Sequence, residues 1–368
     1  MKIVIAPDSF KGSASSIEIA NWIENGIHSV IPNCETAKFA IGDGGEGTLD
    51  AAILAGFTPY EMKVQGPTNK TVQAKFGMRG TTALIEMAQA SGLAQLPEKK
   101  LEPLTATSYG TGELIRAALD KGATKIILAV GGSACTDAGA GALQALGAHL
   151  RDADGREIQL GGAALGHCRD IDVSNLDKRL NNVEFILASD VTNPLLGASG
   201  AATVYAPQKG ATKEDVQVLE DALAHFAQLA GTSQVNSPGA GAAGGLGFMA
   251  LTFLNAKTQS GISLIIELVG LEQQLSGANL VITGEGKFDS QSLNGKAPLG
   301  ILNIASQKLI PVALICGHAS LNSSDEIVKN FQSINSLTDI EPDIEKCINN
   351  PRPIIEKIAA SIAKALIA

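Results

Sequence analysis

The sequence lacks paired cysteines, a basic run and a long apolar run. Its five cysteines are odd in number and scattered, without a C-x-x-C pair, which favours reduced thiols over a disulfide framework. A net charge of −9 without a Lys/Arg run argues against a nucleic-acid-binding surface. The sequence contains no run of about 18 apolar residues, the length needed to span a bilayer. The N-terminal MKIVIAPDS lacks the apolar region of a signal peptide. These absences predict a cytoplasmic protein without nucleic-acid or membrane partners.

Aromatic residues are also scarce, whereas glycine is abundant. The chain of 368 residues contains 40 glycines and is 45% hydrophobic. This composition is typical of a soluble α/β protein with many tight turns. Because the length exceeds one ordinary domain, two domains are expected.

The stretch 280–300, LVITGEGKFDSQSLNGKAPLG, predicts a buried strand followed by a chemical site. Its first four residues are apolar without alternation, as in a parallel strand covered on both faces. Ligands of such sheets bind just past the strand ends. The charged residues expected in the loop after this strand are Glu285, Lys287, Asp289 and Lys296. The alternative is an ordinary solvated loop.

The first strand, expected at 3–6, leads through a polar turn to a helix expected at 16–29. Asp8, Ser9 and Lys11 therefore lie where an open α/β sheet binds ligands. The serines of this turn can cap the helix, but capping does not explain Lys11.

A strand expected at 36–41 ends in GDGGEGT, which matches the dinucleotide fingerprint G-x-G-x-x-G. Asp43 and Glu46 inside this loop would repel a pyrophosphate, and they suit Mg²⁺ or a hydroxylated substrate better. The alternative is that both acids only favour the positive end of the following helix.

Three later positions allow two interpretations each. The turn Gly131-Gly132-Ser133 either presents backbone N–H groups to an anion or permits close packing. Asp190, after a strand expected at 185–189, is either a helix cap or a catalytic group. His318, after a strand expected at 312–316, is either a general base or an ordinary surface residue. A further strand is expected at 202–206.

The segment 239–247 repeats the G-x-G-x-x-G pattern, but a polar linker precedes it where the fingerprint needs a strand. Its glycines can hold an anion through backbone N–H groups or act as a hinge. They include Gly239, Gly241, Gly244 and Gly245.

The distribution of apolar strands and turn-rich segments along the chain predicts its domains. Apolar strands near residues 3, 37, 281, 313 and 332 alternate with helices, whereas 62 to about 235 is rich in turns. We therefore expect an α/β fold in which a Rossmann-like parallel-sheet domain (1–61 and 239–368) is interrupted by an inserted α/β domain (62–238). A cleft is expected between the two.

The assembled motifs resemble the type I bacterial glycerate kinase family over nearly the whole chain. They include APDSFKGS, GDGGEGT, GGSACTDAGAG, SDVTNPLLGASGA, PQKGA, GAGAAGGLG and VITGEGKFDSQSLNGKAP. The resemblance implies the interrupted Rossmann-like fold and ATP-dependent phosphorylation of D-glycerate, most often at the 2-hydroxyl, giving 2-phosphoglycerate. Thr136 stands where the family commonly has Asn, and a hydroxyl does not replace the paired donor and acceptor of an amide.

A kinase must neutralise the triphosphate, align the acceptor hydroxyl and help it lose its proton. We assign catalysis to Asp190 as the base, with Lys11 and Asp289. The predicted substrate-binding residues are Asp8, Ser9, Asp43, Glu46, Glu285 and Lys287. Gly239, Gly241, Gly244, Gly245 and Lys296 are predicted to bind ATP, and Asp43 and Asp289 to bind Mg²⁺. The expected partners are D-glycerate and ATP, for a monomer or a homodimer.

Other functions are compatible with parts of this pattern. The chain could phosphorylate the 3-hydroxyl instead, or it could be a non-catalytic two-domain sensor of a hydroxy acid. A nicotinamide dehydrogenase would use the 42–47 loop as its fingerprint, and the acids within that loop argue against it.

Overall fold

The computed structural model describes residues 1–42, 45, 47–231, 233–289, 292, 297–321 and 327–368. The chain forms two compact units. Unit 1 comprises Met1–Asp43, Asp50–Ala55 and Ile262–Ala368, and unit 2 comprises Gly44–Leu49 and Gly56–Gly261. The domain boundaries expected at 61/62 and 238/239 stay a prediction, because compactness alone does not show which segments fold independently.

The strands are β1 (Lys2–Pro7), β2 (Glu35–Lys38), β3 (Thr58–Gln65), β4 (Thr71–Arg79), β5 (Thr82–Glu86), β6 (Lys125–Ala129), β7 (His149–Arg151), β8 (Asp170–Asp172), β9 (Glu184–Ala188), β10 (Lys257–Gln259), β11 (Leu280–Phe288), β12 (Val312–Ala319) and β13 (Ser333–Ser336). The helices are α1 (Ser16–His28), α2 (Thr48–Leu54), α3 (Ala88–Ser91), α4 (Tyr109–Asp120), α5 (Ala140–Ala145), α6 (Ala201–Tyr205), α7 (Lys213–Ala230), α8 (Ala242–Phe253), α9 (Gly261–Val269), α10 (Leu271–Gln274), α11 (Ala297–Gln307), α12 (Ile344–Asn349) and α13 (Arg352–Ile367).

Unit 1 is built on a parallel sheet with the strand order β13-β12-β11-β1-β2. In chain order this is the 2-1-3-4-5 arrangement of flavodoxin-like doubly wound sheets. Alternate strand residues, such as Ile3 and Ile282, join α1 and α13 in one apolar cluster, and α11 contacts β1, β11 and β12. The strand order reverses between β1 and β11, and ligands of such sheets bind at the carboxyl ends of the strands beside this switch point.

Helix α1 fixes the direction in which the chain leaves β1. Ser15 and Glu18 form a capping box, in which the Ser15 side chain accepts a hydrogen bond from the Glu18 backbone and the Glu18 carboxylate accepts one from Ser15 N at 2.9 Å. The apolar residues Ile19, Ile23 and Ile27 then pack into the unit 1 core. The predicted capping role of a serine in this turn is confirmed for Ser15.

Unit 2 contains a mixed sheet with the strand order β10-β9-β6-β5-β4-β3. The first four strands in this order are parallel. Strand β4 is antiparallel to both of its neighbours, β5 and β3. A separate antiparallel pair is formed by β7 and β8. The expected α/β class with parallel sheets is confirmed. No helix within the described ranges is long and apolar enough to cross a membrane.

Three of the predicted elements differ from the structure. The segment 202–206 was expected as a strand, but it lies in helix α6, where Ala201 and Ala202 are fully buried and the helix contacts α7 and α8. Strands β11 and β12 run beyond their expected ends at 283 and 316, because they remain paired as far as Phe288 and Ala319. Charged residues expected in a loop therefore lie on a strand.

Candidate functional site

The switch point of unit 1 brings the end of β1 beside β11. Pro7 is aligned with Gly284, and the Asp8 N–H donates to the Gly284 carbonyl at 2.8 Å. Asp8 is buried, and its Oδ1 accepts hydrogen bonds from Ser9 N at 2.6 Å and Ser9 Oγ at 3.3 Å. These bonds hold the Asp8 carboxylate at the carboxyl edge of the sheet.

The loop after β1 turns back on itself and presents Lys11 to solvent. Phe10 N donates to the Ala14 carbonyl at 2.9 Å, and the Phe10 ring is buried while Lys11 is exposed. Ser13 Oγ donates to the Ile348 carbonyl at 2.6 Å. This bond ties the Lys11 loop to helix α12.

Glu285 and Lys287 were predicted in a loop and instead lie within β11. Being two residues apart on a strand, they point to the same face. Glu285 is buried, whereas the Lys287 side chain is 65% exposed and its Nζ lies 3.0 Å from the Asp289 carboxylate. The strand therefore carries a buried carboxylate and a solvent-facing ammonium toward one ligand space.

A cavity of about 440 Å³ opens at this edge of unit 1. Five residues predicted as site residues line it together: Asp8, Ser9, Lys11, Glu285 and Lys287. Its apolar lining includes Phe10, Ile344 and Ile348. The volume is in the range of small-molecule sites, so the structure gathers these predicted residues around a space that a ligand could fill.

His318 lines the same cavity. It lies on β12, aligned with Lys287 on β11, is exposed, and places Nδ1 3.1 Å from Thr338 Oγ1. Nearby, burial raises the pKa of the Cys316 thiol to about 12, with a further contribution from the negative charges of Glu285 and Asp339. A thiol held protonated in this way is a poor nucleophile.

Three of the predicted site residues lie outside the described residues, namely Asp43 and Glu46 of the metal and substrate set and Lys296 of the ATP set. Asp289, the other predicted Mg²⁺ ligand, lies next to Lys287 at the end of β11. Among the residues that the structure describes, no group of three or more His, Cys, Asp or Glu residues could hold a metal ion. The Mg²⁺ site therefore stays a prediction.

Asp190, the predicted base, belongs to unit 2 and follows β9. Its Oδ1 accepts hydrogen bonds from Ser260 Oγ at 2.7 Å and from Gly261 N at 3.0 Å. Gly261 is the first residue of α9, so this arrangement fits the capping alternative. The catalytic role of Asp190 stays a prediction.

The glycine segment 239–247 is buried and packs against other backbone segments. A Cβ on Gly241 would overlap the Pro194 carbonyl, and one on Gly244 would overlap the Cys135 carbonyl. Gly241 N already donates to the Asn193 carbonyl at 2.9 Å. These contacts explain the need for glycine without any ligand. The predicted contact of Gly239, Gly241, Gly244 and Gly245 with phosphate is untested.

The segment between the turn at 131–133 and helix α5 contains a buried carboxylate. Asp137 is fully buried, and it accepts hydrogen bonds from Ser108 N at 2.8 Å, from Ser108 Oγ at 2.9 Å and from Gly139 N at 3.1 Å. Donors at the starts of α4 and α5 therefore bond to this internal carboxylate, and both interpretations of the turn at 131–133 stay predictions.

Lys209 is not among the residues that the sequence singles out. Its side chain is 1% exposed, and Nζ donates to Ser133 Oγ at 2.8 Å, to the Cys135 carbonyl at 2.5 Å and to Thr136 Oγ1 at 3.4 Å. Burial lowers the pKa of Lys209 to about 8, although the charges of Cys135 and Asp137 oppose the shift. Its position within the motif PQKGA was the available signal. Thr136, which replaces the Asn common in the family, is one of its acceptors.

The fold and the cavity define a class of protein, an α/β protein with a cavity lined by charged residues at the switch point of a doubly wound sheet. Residues 3–367 match the model of the glycerate kinase family. The chain therefore belongs to this family of phosphotransferases, as its motifs predicted.

Individual relatives are similar over their full lengths. "Glycerate kinase" of Bacillus subtilis (strain 168) is 44% identical, with 100% of this chain and 98% of the relative covered. "Glycerate 2-kinase" of Escherichia coli (strain K12) is 43% identical, with 99% and 98% covered. A crystal structure from Salmonella typhimurium LT2, provisionally assigned as glycerate kinase 2, superposes with a TM-score of 0.84 at 41% identity, with 100% of this chain and 98% of that chain covered.

Proposed function

We propose that this protein transfers the γ-phosphoryl group of ATP to the 2-hydroxyl of D-glycerate, giving 2-phosphoglycerate. The observation that carries the proposal is the unit 1 cavity, where two lysines and two carboxylates meet at a sheet edge suited to ligands. Membership of the glycerate kinase family and the similarity to a relative named for 2-kinase activity support the same reaction.

Positive charge for the phosphates or for the glycerate carboxylate would come from Lys11 and Lys287. Both line the cavity and both are exposed, so their ammonium groups can reach a ligand without breaking a packed core. Lysine acts on an anion as a point charge. Lys296, outside the described residues, is proposed for the same task.

The carboxylates Asp8 and Glu285 are proposed to bind the hydroxyl groups of the substrate. Both are buried at the cavity wall, and a carboxylate is a strong hydrogen-bond acceptor for a hydroxyl donor. Mg²⁺, proposed at Asp43 and Asp289, would neutralise phosphate charge. One or two carboxylates suffice, because this ion keeps phosphate oxygens and waters as its other ligands.

Asp190 is proposed as the base that accepts the proton of the attacking hydroxyl. One oxygen of its carboxylate accepts two hydrogen bonds, which fixes the orientation of the group. The glycine segment 239–247 is proposed to contact phosphate through backbone N–H groups. The protein is further proposed to act in the cytoplasm, as a monomer or a homodimer.

The test is a coupled assay for ADP release with D-glycerate, with and without Mg²⁺, followed by NMR of the phosphorylated product. ADP release that requires both D-glycerate and Mg²⁺, with the phosphate on carbon 2, is the expected result. Phosphate on carbon 3 would replace the 2-kinase assignment with a 3-kinase. Tight binding of D-glycerate without turnover would favour a non-catalytic sensor.

A further inference from the structure

One wall of the unit 1 cavity is apolar and partly exposed. Ile344 and Ile348 lie on helix α12, are 59% and 44% exposed, and line the cavity together with the buried Phe10 ring. Being four residues apart, the two isoleucines occupy the same helix face. Single exposed apolar residues are ordinary on protein surfaces, but two that converge with an aromatic ring beside charged groups indicate a ligand with an apolar part.

This wall is held firmly next to the lysine loop. Ser13 Oγ donates to the Ile348 carbonyl at 2.6 Å, which connects the C-terminal end of α12 to the loop that carries Lys11. At the other end, Asp343 caps α12 by accepting hydrogen bonds from Glu345 N at 3.0 Å and Lys346 N at 3.3 Å. Cys347, between the two isoleucines, is buried. These contacts fix the position of the apolar wall beside the loop that carries Lys11.

The chemistry of the wall selects among the proposed reactants. Glycerate is a small acid with an oxygen substituent on every carbon, and a triphosphate is wholly polar, so neither offers a broad apolar face. The adenine base of ATP is flat and aromatic, and such rings bind well between aliphatic and aromatic side chains. The cavity of about 440 Å³ is also far larger than glycerate requires.

We infer that Ile344, Ile348 and Phe10 bind the adenine base of the nucleotide, with its phosphates directed toward Lys11 and Lys287. This inference rests on the proposed function, because it takes ATP to be the phosphoryl donor. It places the adenine base on residues of unit 1 that lie outside both G-x-G-x-x-G segments, 42–47 and 239–247. The base would pack against the isoleucine side chains and the phosphates would lie at the charged side of the same cavity.

The first test compares two probes, ADP and inorganic tripolyphosphate, by calorimetry. Ile344→Ser and Ile348→Ser should each raise the Kd for ADP by about five- to tenfold, since each removes part of an apolar contact, and should leave the Kd for tripolyphosphate unchanged. Lys11→Ala should weaken both probes, because both carry phosphates. Ile367→Ser is the matched control: Ile367 is 57% exposed at the end of α13, and its loss should change neither Kd.

The second test is steady-state kinetics on the same variants. Ile344→Ser and Ile348→Ser should raise KM for ATP while KM for D-glycerate stays within twofold. The inference is overturned if the isoleucine variants bind ADP as the wild type does, if they lose tripolyphosphate equally, or if KM for glycerate rises instead. If the wild-type protein has no kinase activity, only the proposed function is contradicted. A selective loss of ADP binding in the isoleucine variants would still locate the adenine base.

Discussion

Replacing Lys209 with methionine should change how the stability of this protein depends on pH. Methionine has a similar length but neither charge nor a hydrogen-bond donor. The native side chain is 1% exposed, and its Nζ donates to Ser133 Oγ, the Cys135 carbonyl and Thr136 Oγ1. Among the residues that the structure describes, these three oxygens are the hydrogen-bond acceptors of the ammonium, and burial lowers its pKa from an ordinary 10.5 to about 8.

The size and sign of the effect follow from that pKa. Each pKa unit corresponds to about 1.4 kcal/mol, so a fall from 10.5 to about 8 amounts to about 3 kcal/mol against the charged form in the folded state. Because the folded pKa is the lower one, the unfolded chain binds more protons between these two values. The free energy of unfolding of the wild type should therefore rise with pH across this window.

The assay is urea unfolding of the wild type and Lys209→Met at several pH values. From about pH 7.5 to about pH 9.5, the wild type should gain about 2 kcal/mol relative to the variant, as the two pKa values require. Taking the difference removes groups that titrate in both proteins, such as buried thiols. Lys357→Met, on the exposed surface of α13, is the control and should track the wild type.

A difference between wild type and Lys209→Met that stays constant over this range would refute the reasoning. It would mean that Lys209 titrates with the same pKa in the folded and the unfolded state. The hydrogen bonds to the loop at 133–136 would then compensate fully for the desolvation of the ammonium.

Three further predictions concern other residues. Lys11→Ala should reduce kcat/KM strongly while the melting temperature stays unchanged, because the side chain is exposed. The control Lys357→Ala, at an equally exposed lysine, should change neither kcat/KM nor the melting temperature. A melting temperature that falls in parallel with activity in Lys11→Ala would assign Lys11 a role in the fold. Asp190→Asn should keep the hydrogen bonds from Ser260 and Gly261, since an amide oxygen still accepts, and should lower kcat by about 10²- to 10⁴-fold if Asp190 is the base; wild-type kcat would leave it a cap. Gly244→Ala should cost more than about 3 kcal/mol of unfolding free energy, because Gly244 has φ +66° and its Cβ would overlap the Cys135 carbonyl. In urea titrations, Gly231→Ala, with φ +63° and open space around it, should cost only about 1 to 2 kcal/mol, and equal costs would show that crowding is irrelevant.

The sequence predicted correctly which polar residues follow β1 at the carboxyl edge of the sheet. An apolar strand followed by Asp8, Ser9 and Lys11 needs no partner to be recognised, because the pattern is local and parallel sheets bind ligands at such ends. The family motifs also gave the phosphotransferase class, which the match over residues 3–367 confirms. The capping of α1 by Ser15 was likewise predictable from residues close in the chain.

The predictions that failed depend on neighbours far along the chain. Glu285 and Lys287 belong to a strand because β12 pairs beside them, and no local pattern of charges shows that pairing. The segment 202–206 contains β-branched and aromatic residues that favour strands, yet its buried alanines pack as helix α6 against α7 and α8. Tertiary packing overrides such weak local preferences.

The sequence by itself determined the alternation of apolar strands and helices, the polar strand ends and the family, since each of these is a property of local composition and order. The tertiary structure decided which charges are solvated by water and which by the chain. Lysine is almost never fully buried, so nothing local distinguishes Lys209 from Lys11. Lys209 is buried because the loop after β6 supplies three oxygens to it, whereas Lys11 remains exposed at a cavity edge. The free energy of an ionised group depends on what surrounds it in space, and those surroundings are formed by segments distant in sequence.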